Sequence, residues 1–130
     1  VDFRTGFRLC GGPFEFFAWL GQALCEGVSY RVEMDTPRKG GTTLRQNLMQ
    51  AGRPIEPPEI PPEGKHVWLW FWDLHQGRGG GFGPAPLAYG EIEAWGRLLR
   101  TAPRAWEVEM LRQMDVAYLS AVAKLAEKGS

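Results

Sequence analysis

Apolar residues recur along most of this chain at three- and four-residue steps, the period of a helix with one buried face. Phe14, Phe17, Leu20 and Leu24 open the pattern; Pro13 suits a first helical turn, and Gly27 stands where such a helix would stop. Val28, Tyr30, Val32 and Met34 then alternate with polar residues. That is the period of a half-buried strand, and residues 3–9 are its candidate partner. A turn follows over 35–41, and Thr42 or Thr43 is placed to cap a short helix carrying Leu44 and Leu48. Residues 66–75 are apolar on nearly every face: Val67, Phe71 and Leu74 form one stripe, Trp68, Trp72 and His75 the next, and Trp70 a third side. Residues 89–100 set Ile92, Trp95 and Leu99 on one face. Residues 105–127 carry Val108, Leu111, Met114, Tyr118, Val122 and Leu125 at helical steps, with Glu107 in the first turn and Lys124 and Lys128 at the end, matching the helix dipole. The pattern predicts a mainly α fold. It is a small helical domain ending in a C-terminal helical hairpin, with a short N-terminal strand pair left open.

Proline divides the chain. Pro54, Pro57, Pro58, Pro61 and Pro62 fall within nine residues. Each fixes its own φ and pushes the preceding residue toward extended geometry, so the stretch is not helical. Residues 54–64 read as a semi-rigid connector between an N-terminal region, 1–53, whose role is unassigned, and a C-terminal helical module, 65–130. The other use of such a segment is docking on an aromatic groove. A second break, 77–83, carries five glycines.

Charge narrows the partners. The 130 residues carry 15 basic and 15 acidic side chains, so no bulk field draws the chain to nucleic acid or an anionic membrane. The longest apolar run, 67–72, is six residues where a membrane span needs about twenty. Residues 14–25 imitate the apolar part of a signal peptide, but Glu15 and Gln22 interrupt them and Asp2 lies upstream, so a signal peptide is not expected. Cys10 and Cys25 lie too far apart for a zinc pair, with His66 and His75 far downstream; they read as small buried thiols.

Catalytic motifs fail on spacing. The glycine run fits no dinucleotide fingerprint and has no preceding strand. Arg78, Gly79 and Gly80 before Phe82 look like one RGG element, which a flexible turn explains better in a neutral chain. Glu91 and Glu93, like Glu107 and Glu109, are two apart and diverge around a helix. Hence no catalytic, cofactor-binding or metal-binding residue is expected. Asp115 stands out because it lies near the apolar seam of the last helix and needs a donor there: the indole of Trp95 or Trp106, or an arginine.

An ordered string of short motifs runs through the second half. Pro57–Pro62 precede Val67-Trp68-Leu69-Trp70-Phe71-Trp72-Asp73-Leu74. Gly81-Phe82-Gly83-Pro84-Ala85-Pro86-Leu87 leads into Tyr89-Gly90-Glu91-Ile92-Glu93-Ala94-Trp95. Ala105-Trp106-Glu107-Val108, Leu111 and Met114-Asp115-Val116-Ala117-Tyr118-Leu119 complete it. Over about residues 57–125 this string resembles the small tail assembly chaperones of long-tailed, siphovirus-like bacteriophages. Such sequences often have Thr or Ser where Ala88 stands, so this helix would lose its capping bond, worth about 1 kcal/mol. Residues 1–50 carry no such resemblance.

The resemblance implies a non-catalytic role without cofactors: holding the tape-measure protein soluble and recruiting tail-tube subunits in the host cytoplasm, then being left out of the mature virion. A structural minor subunit of a tail or head–tail joint is the alternative, and an enzyme with an unrecognised site ranks third. Trp68, Trp70, Trp72 and Phe82 are the candidate partner-binding residues. Trp70 is expected to be the least buried tryptophan of that helix, against the plainer alternative that all three fill the core. Tyr89, Glu91, Ile92, Trp95, Trp106, Glu107, Leu111, Asp115 and Tyr118 are the residues carried by the family motifs, expected to act in packing.

Overall fold

The computed structural model describes residues 13–78 and 85–128. Among them five α-helices form: α1 (Pro13–Asp35), α2 (Leu44–Gln50), α3 (Lys65–Gln76), α4 (Tyr89–Leu98) and α5 (Ala105–Lys128). A 3-10 turn, Pro62–Gly64, leads into α3.

The strand expected at 28–34 is the second half of α1. Val28 and Val32, four apart, lie on one helical face and are buried, as is Met34. Val28 and Val32 fit both a two-residue and a helical period, and the packing of α1 against α5 decides between them. Gly27 does not end the helix, because the absence of its side chain is what the packing uses. A Cβ there would lie 2.7 Å from Ile60 Cδ1 and 2.9 Å from Trp68 Cζ3. Residues 3–9, the candidate partner strand, lie outside the described residues. Thr43 rather than Thr42 caps α2. Its hydroxyl accepts from the Gln46 N–H at 3.1 Å, and the Gln46 side chain accepts from the Thr43 N–H at 2.9 Å. Arg45 Nε then donates to Asp35 Oδ1 at 2.7 Å, tying α2 to the end of α1.

The ring contacts set α1, α3 and α5 parallel. Near their N-termini Phe17 stacks on Trp106 at 5.2 Å, and His66 stands edge-on to the same indole at 5.9 Å. Farther along, Arg31 lies 4.2 Å over the Trp72 ring and His75 meets Tyr118 at 4.5 Å. Parallel neighbours need long return paths, and the chain has two. The proline-rich segment runs back along α1, with Pro57 and Pro58 beside Tyr30 and Ile60 beside Gly27. Later α4 returns the chain to the start of α5, with Tyr89 against Arg112 at one end and the turn at Thr101 at the other.

The core lies between the three parallel helices. Leu20, Leu24, Val28 and Val32 of α1 meet Val67, Phe71 and Leu74 of α3 and Met110, Leu111 and Met114 of α5; Leu87 and Ile92 complete the cluster. Each such fully buried side chain contributes about 1.5–3 kcal/mol. The apolar seam of α5 is therefore filled chiefly by α1 and α3, with Ile92 and Trp95 added from α4.

Candidate functional site

The densest polar cluster joins α3 to the middle of α5. Asp115 Oδ1 accepts from Arg78 Nη2 at 2.5 Å, and Oδ2 accepts from the Leu87 N–H at 2.9 Å. Arg78 also donates through Nη1 to the Ala85 carbonyl at 2.6 Å and through Nε to His75 Nδ1 at 3.0 Å, and its guanidinium lies over the Tyr118 ring. Both charged side chains are only 6% exposed. Burying an unpaired carboxylate there would be costly, and two donors make this one tolerable. Of the donors anticipated for Asp115, the arginine is the one used. Trp95 Nε1 instead donates to Asp73 Oδ2 at 2.7 Å. Because Arg78 donates to Nδ1, the neutral His75 ring carries its own proton on Nε2. Burial, then the Arg78 charge, hold His75 below the ordinary imidazole value; Asp115 opposes in part and Arg31 adds to the lowering. The cluster pins residues 78, 85 and 87 to α5 with every one of these bonds spent on protein, so it positions chain rather than presenting a reactive group.

A second tie sits at the start of α5. Glu107, 7% exposed, meets His66 Nε2 through Oε2 at 2.6 Å and accepts the Arg104 N–H through Oε1 at 2.7 Å. It thus caps α5 and holds the first turn of α3 at once. Glu91 does half as much: its carboxylate accepts from the Ala88 N–H at 2.9 Å, but Ala88 has no side-chain acceptor for the reciprocal bond. Of the other motif residues, Ile92 and Leu111 are core, Trp106 lies between Phe17 and His66, and Tyr89 is exposed under Arg112.

Trp68, Trp70 and Trp72 are all half-buried and pack on the core. Trp68 sits against Gly27 and Ile60, Trp72 lies under Arg31, and Trp70 stands edge-on to His66 at 4.9 Å and to Trp95 at 5.6 Å. Trp72 Nε1 is buried with no acceptor among the described residues. The exposed large apolar residue of α3 is Leu69, 58% exposed, which sequence reasoning did not single out. Trp19, 51% exposed on α1, was also missed, although it falls off the stripe of Phe17, Leu20 and Leu24 and a helical projection marks it as outward. Arg78 was missed because it reads as part of a glycine turn. The usable signal was its position one helical turn beyond His75. Phe82 and Cys10 lie outside the described residues. Cys25 is half-buried, and burial, with Glu26 adding, pushes its thiol up. Among the described residues no group of three His, Cys, Asp or Glu side chains could hold a metal, and no helix is long and apolar enough to cross a membrane.

No curated protein and no solved structure matches the chain. A sequence model described as "Phage tail assembly chaperone" matches residues 50–120, from the last residue of α2 through the proline-rich segment, α3 and α4 into α5. The matched stretch contains Arg78, His66, Glu107, Asp115 and every residue of the resemblance up to Leu119, while α1, which completes their core, lies outside it. With more than half of its 130 residues matched, this chain belongs to the phage tail assembly chaperone family.

Proposed function

We propose that the chain is a non-catalytic chaperone that binds the tape-measure protein and recruits tail-tube subunits in the host cytoplasm during tail assembly, and is left out of the mature virion. The observation that carries this reading is the family match over residues 50–120. The chemistry of the described residues agrees with it. The buried charged groups of the matched region, Arg78, Asp115 and Glu107, are spent on holding helices together, while large apolar side chains such as Leu69, Trp19 and Leu98 face outward. Exposed apolar surface without an internal role is what a protein that receives apolar segments of another chain requires. Trp68, Trp70 and Trp72, with Phe82, remain the partner-binding residues of this proposal, and Leu69 joins them as an exposed apolar side chain of the same helix.

Mass spectrometry of purified virions tests the reading against the structural-subunit alternative. A chaperone is present in the infected-cell lysate and missing from the particle. Recovery in particles at a fixed ratio to the tail-tube protein would assign it as a minor subunit instead.

A further inference from the structure

We infer that the cleft between α4 and the start of α5 receives an apolar anchor of a partner helix whose flanking carboxylates pair with the arginines around it. The inference rests on the chaperone reading and names the chemistry of the segment bound. The cleft encloses about 420 Å³, and its walls include Tyr89, Ile92, Gly96, Pro103 and Val108, so the cavity is mostly apolar. Two charged residues line it, Glu93 and Arg97. Around it basic groups outnumber uncommitted acids: Arg97, Arg100 and Arg104 fall within eight residues, against Glu93 on the wall, while Glu107 is taken up by His66 and the Arg104 N–H. None of these three guanidinium groups has a carboxylate partner among the described residues. Arg112 donates to the hydroxyl of Tyr89, one of the lining residues, at 2.6 Å.

The backbone supplies an independent observation. Among the described residues Arg100 is the only non-glycine with a positive φ, 55°. It occupies the left-handed position just past α4, where the Thr101 N–H reaches the Gly96 carbonyl at 2.8 Å and the Arg100 N–H reaches that of Arg97 at 3.4 Å. Glycine takes this position in most helices closed this way, because it has no Cβ to strain. An arginine there keeps a cation beside the cleft at a conformational cost, and strain of this kind concentrates at functional positions. An apolar slot rimmed by unpaired arginines selects a helix that alternates apolar anchors with Asp or Glu, rather than a neutral or basic one.

The test uses the full chain and overlapping peptides spanning the tape-measure and tail-tube proteins of the same phage, read by fluorescence anisotropy at low and high salt. The expected binders pair apolar residues with Asp or Glu and weaken as salt rises. Arg97→Glu and Arg100→Gly should each weaken them by about tenfold, while Arg53→Glu, at an exposed arginine far from the cleft, should leave them unchanged. Arg97 and Arg100 are exposed, so both variants keep the fold, which their melting curves verify. Binding by wild type that survives Arg97→Glu and Arg100→Gly, or that Arg53→Glu weakens equally, overturns the cleft and leaves the chaperone reading standing. Binders that carry no acidic residues overturn it too. So do attachment to anionic vesicles in place of peptides, or a dimer of this chain that Arg97→Glu dissociates. If neither the peptides nor the intact tail proteins bind wild type, both readings fall.

Discussion

Replacing Asp115 with Ala leaves the Arg78 guanidinium, whose side chain is 6% exposed, without its carboxylate, and strips the Leu87 N–H of its acceptor. Removing one partner of a buried ion pair costs about 3–5 kcal/mol, because the remaining charge stays desolvated. Arg78 retains its bonds to Ala85 and His75, which places the expected loss near the lower end, about 3 kcal/mol. A domain of this kind has roughly 5–15 kcal/mol in total, so the variant should still fold but unfold at a clearly lower urea concentration. Equilibrium urea denaturation followed by tryptophan fluorescence measures the difference, with the slope expected to stay constant. The double variant Arg78→Met/Asp115→Leu is the necessary companion. Removing both charges together should recover most of the loss, since apolar side chains of similar volume often replace a buried pair at little cost. A loss below about 1 kcal/mol for Asp115→Ala would refute the placement of this pair in the interior, since exposed pairs contribute that little.

Other expectations concern caps and titration. Ala88→Ser should stabilise the chain by about 1 kcal/mol, because it completes the bond pair that Glu91 already half-makes; an unchanged melting temperature would count against the cap geometry. Arg100→Gly should also stabilise, by roughly 1 kcal/mol, by relieving the left-handed backbone, and a lower melting temperature would show that the turn does not strain there. Burial together with Arg78 and Arg31 lowers the His75 pKa, so the unfolded chain takes up this proton first as pH falls. The contribution of His75 to stability is then fully present above about pH 6.5 and is lost progressively below it. The denaturation midpoint should fall on acidification across this range by more in wild type than in His75→Gln, and equal shifts would reject the assignment.

Helix content was readable wherever apolar residues kept a single period, as over α4 and α5. At 28–34 it was not, because Val28 and Val32, four apart, satisfy a strand and a helix equally; α1 continues through Gly27, which packs under Ile60 and Trp68. The parallel course of α1, α3 and α5 lay beyond sequence reasoning for a related reason. It depends on the proline-rich segment lying along Tyr30 and Trp68, and nothing local in five prolines distinguishes a docked strap from a free spacer. Asp115 was legible as a carboxylate in an apolar seam. Its partner was not, since Arg78 comes from 37 residues away and sits beside a glycine run that reads as a turn. The three tryptophans of α3 were legible as a group, but all are half-buried, and the exposure of Leu69 follows from how α3 is rotated against the core rather than from residue type.

Co-expression of the tape-measure protein with this chain tests the central claim most directly. Tape-measure protein that is insoluble alone should appear in the soluble fraction and co-purify with the chain at a constant ratio. Tape-measure protein that stays insoluble, or that is soluble but never co-purifies, would contradict the assignment of this chain as its chaperone.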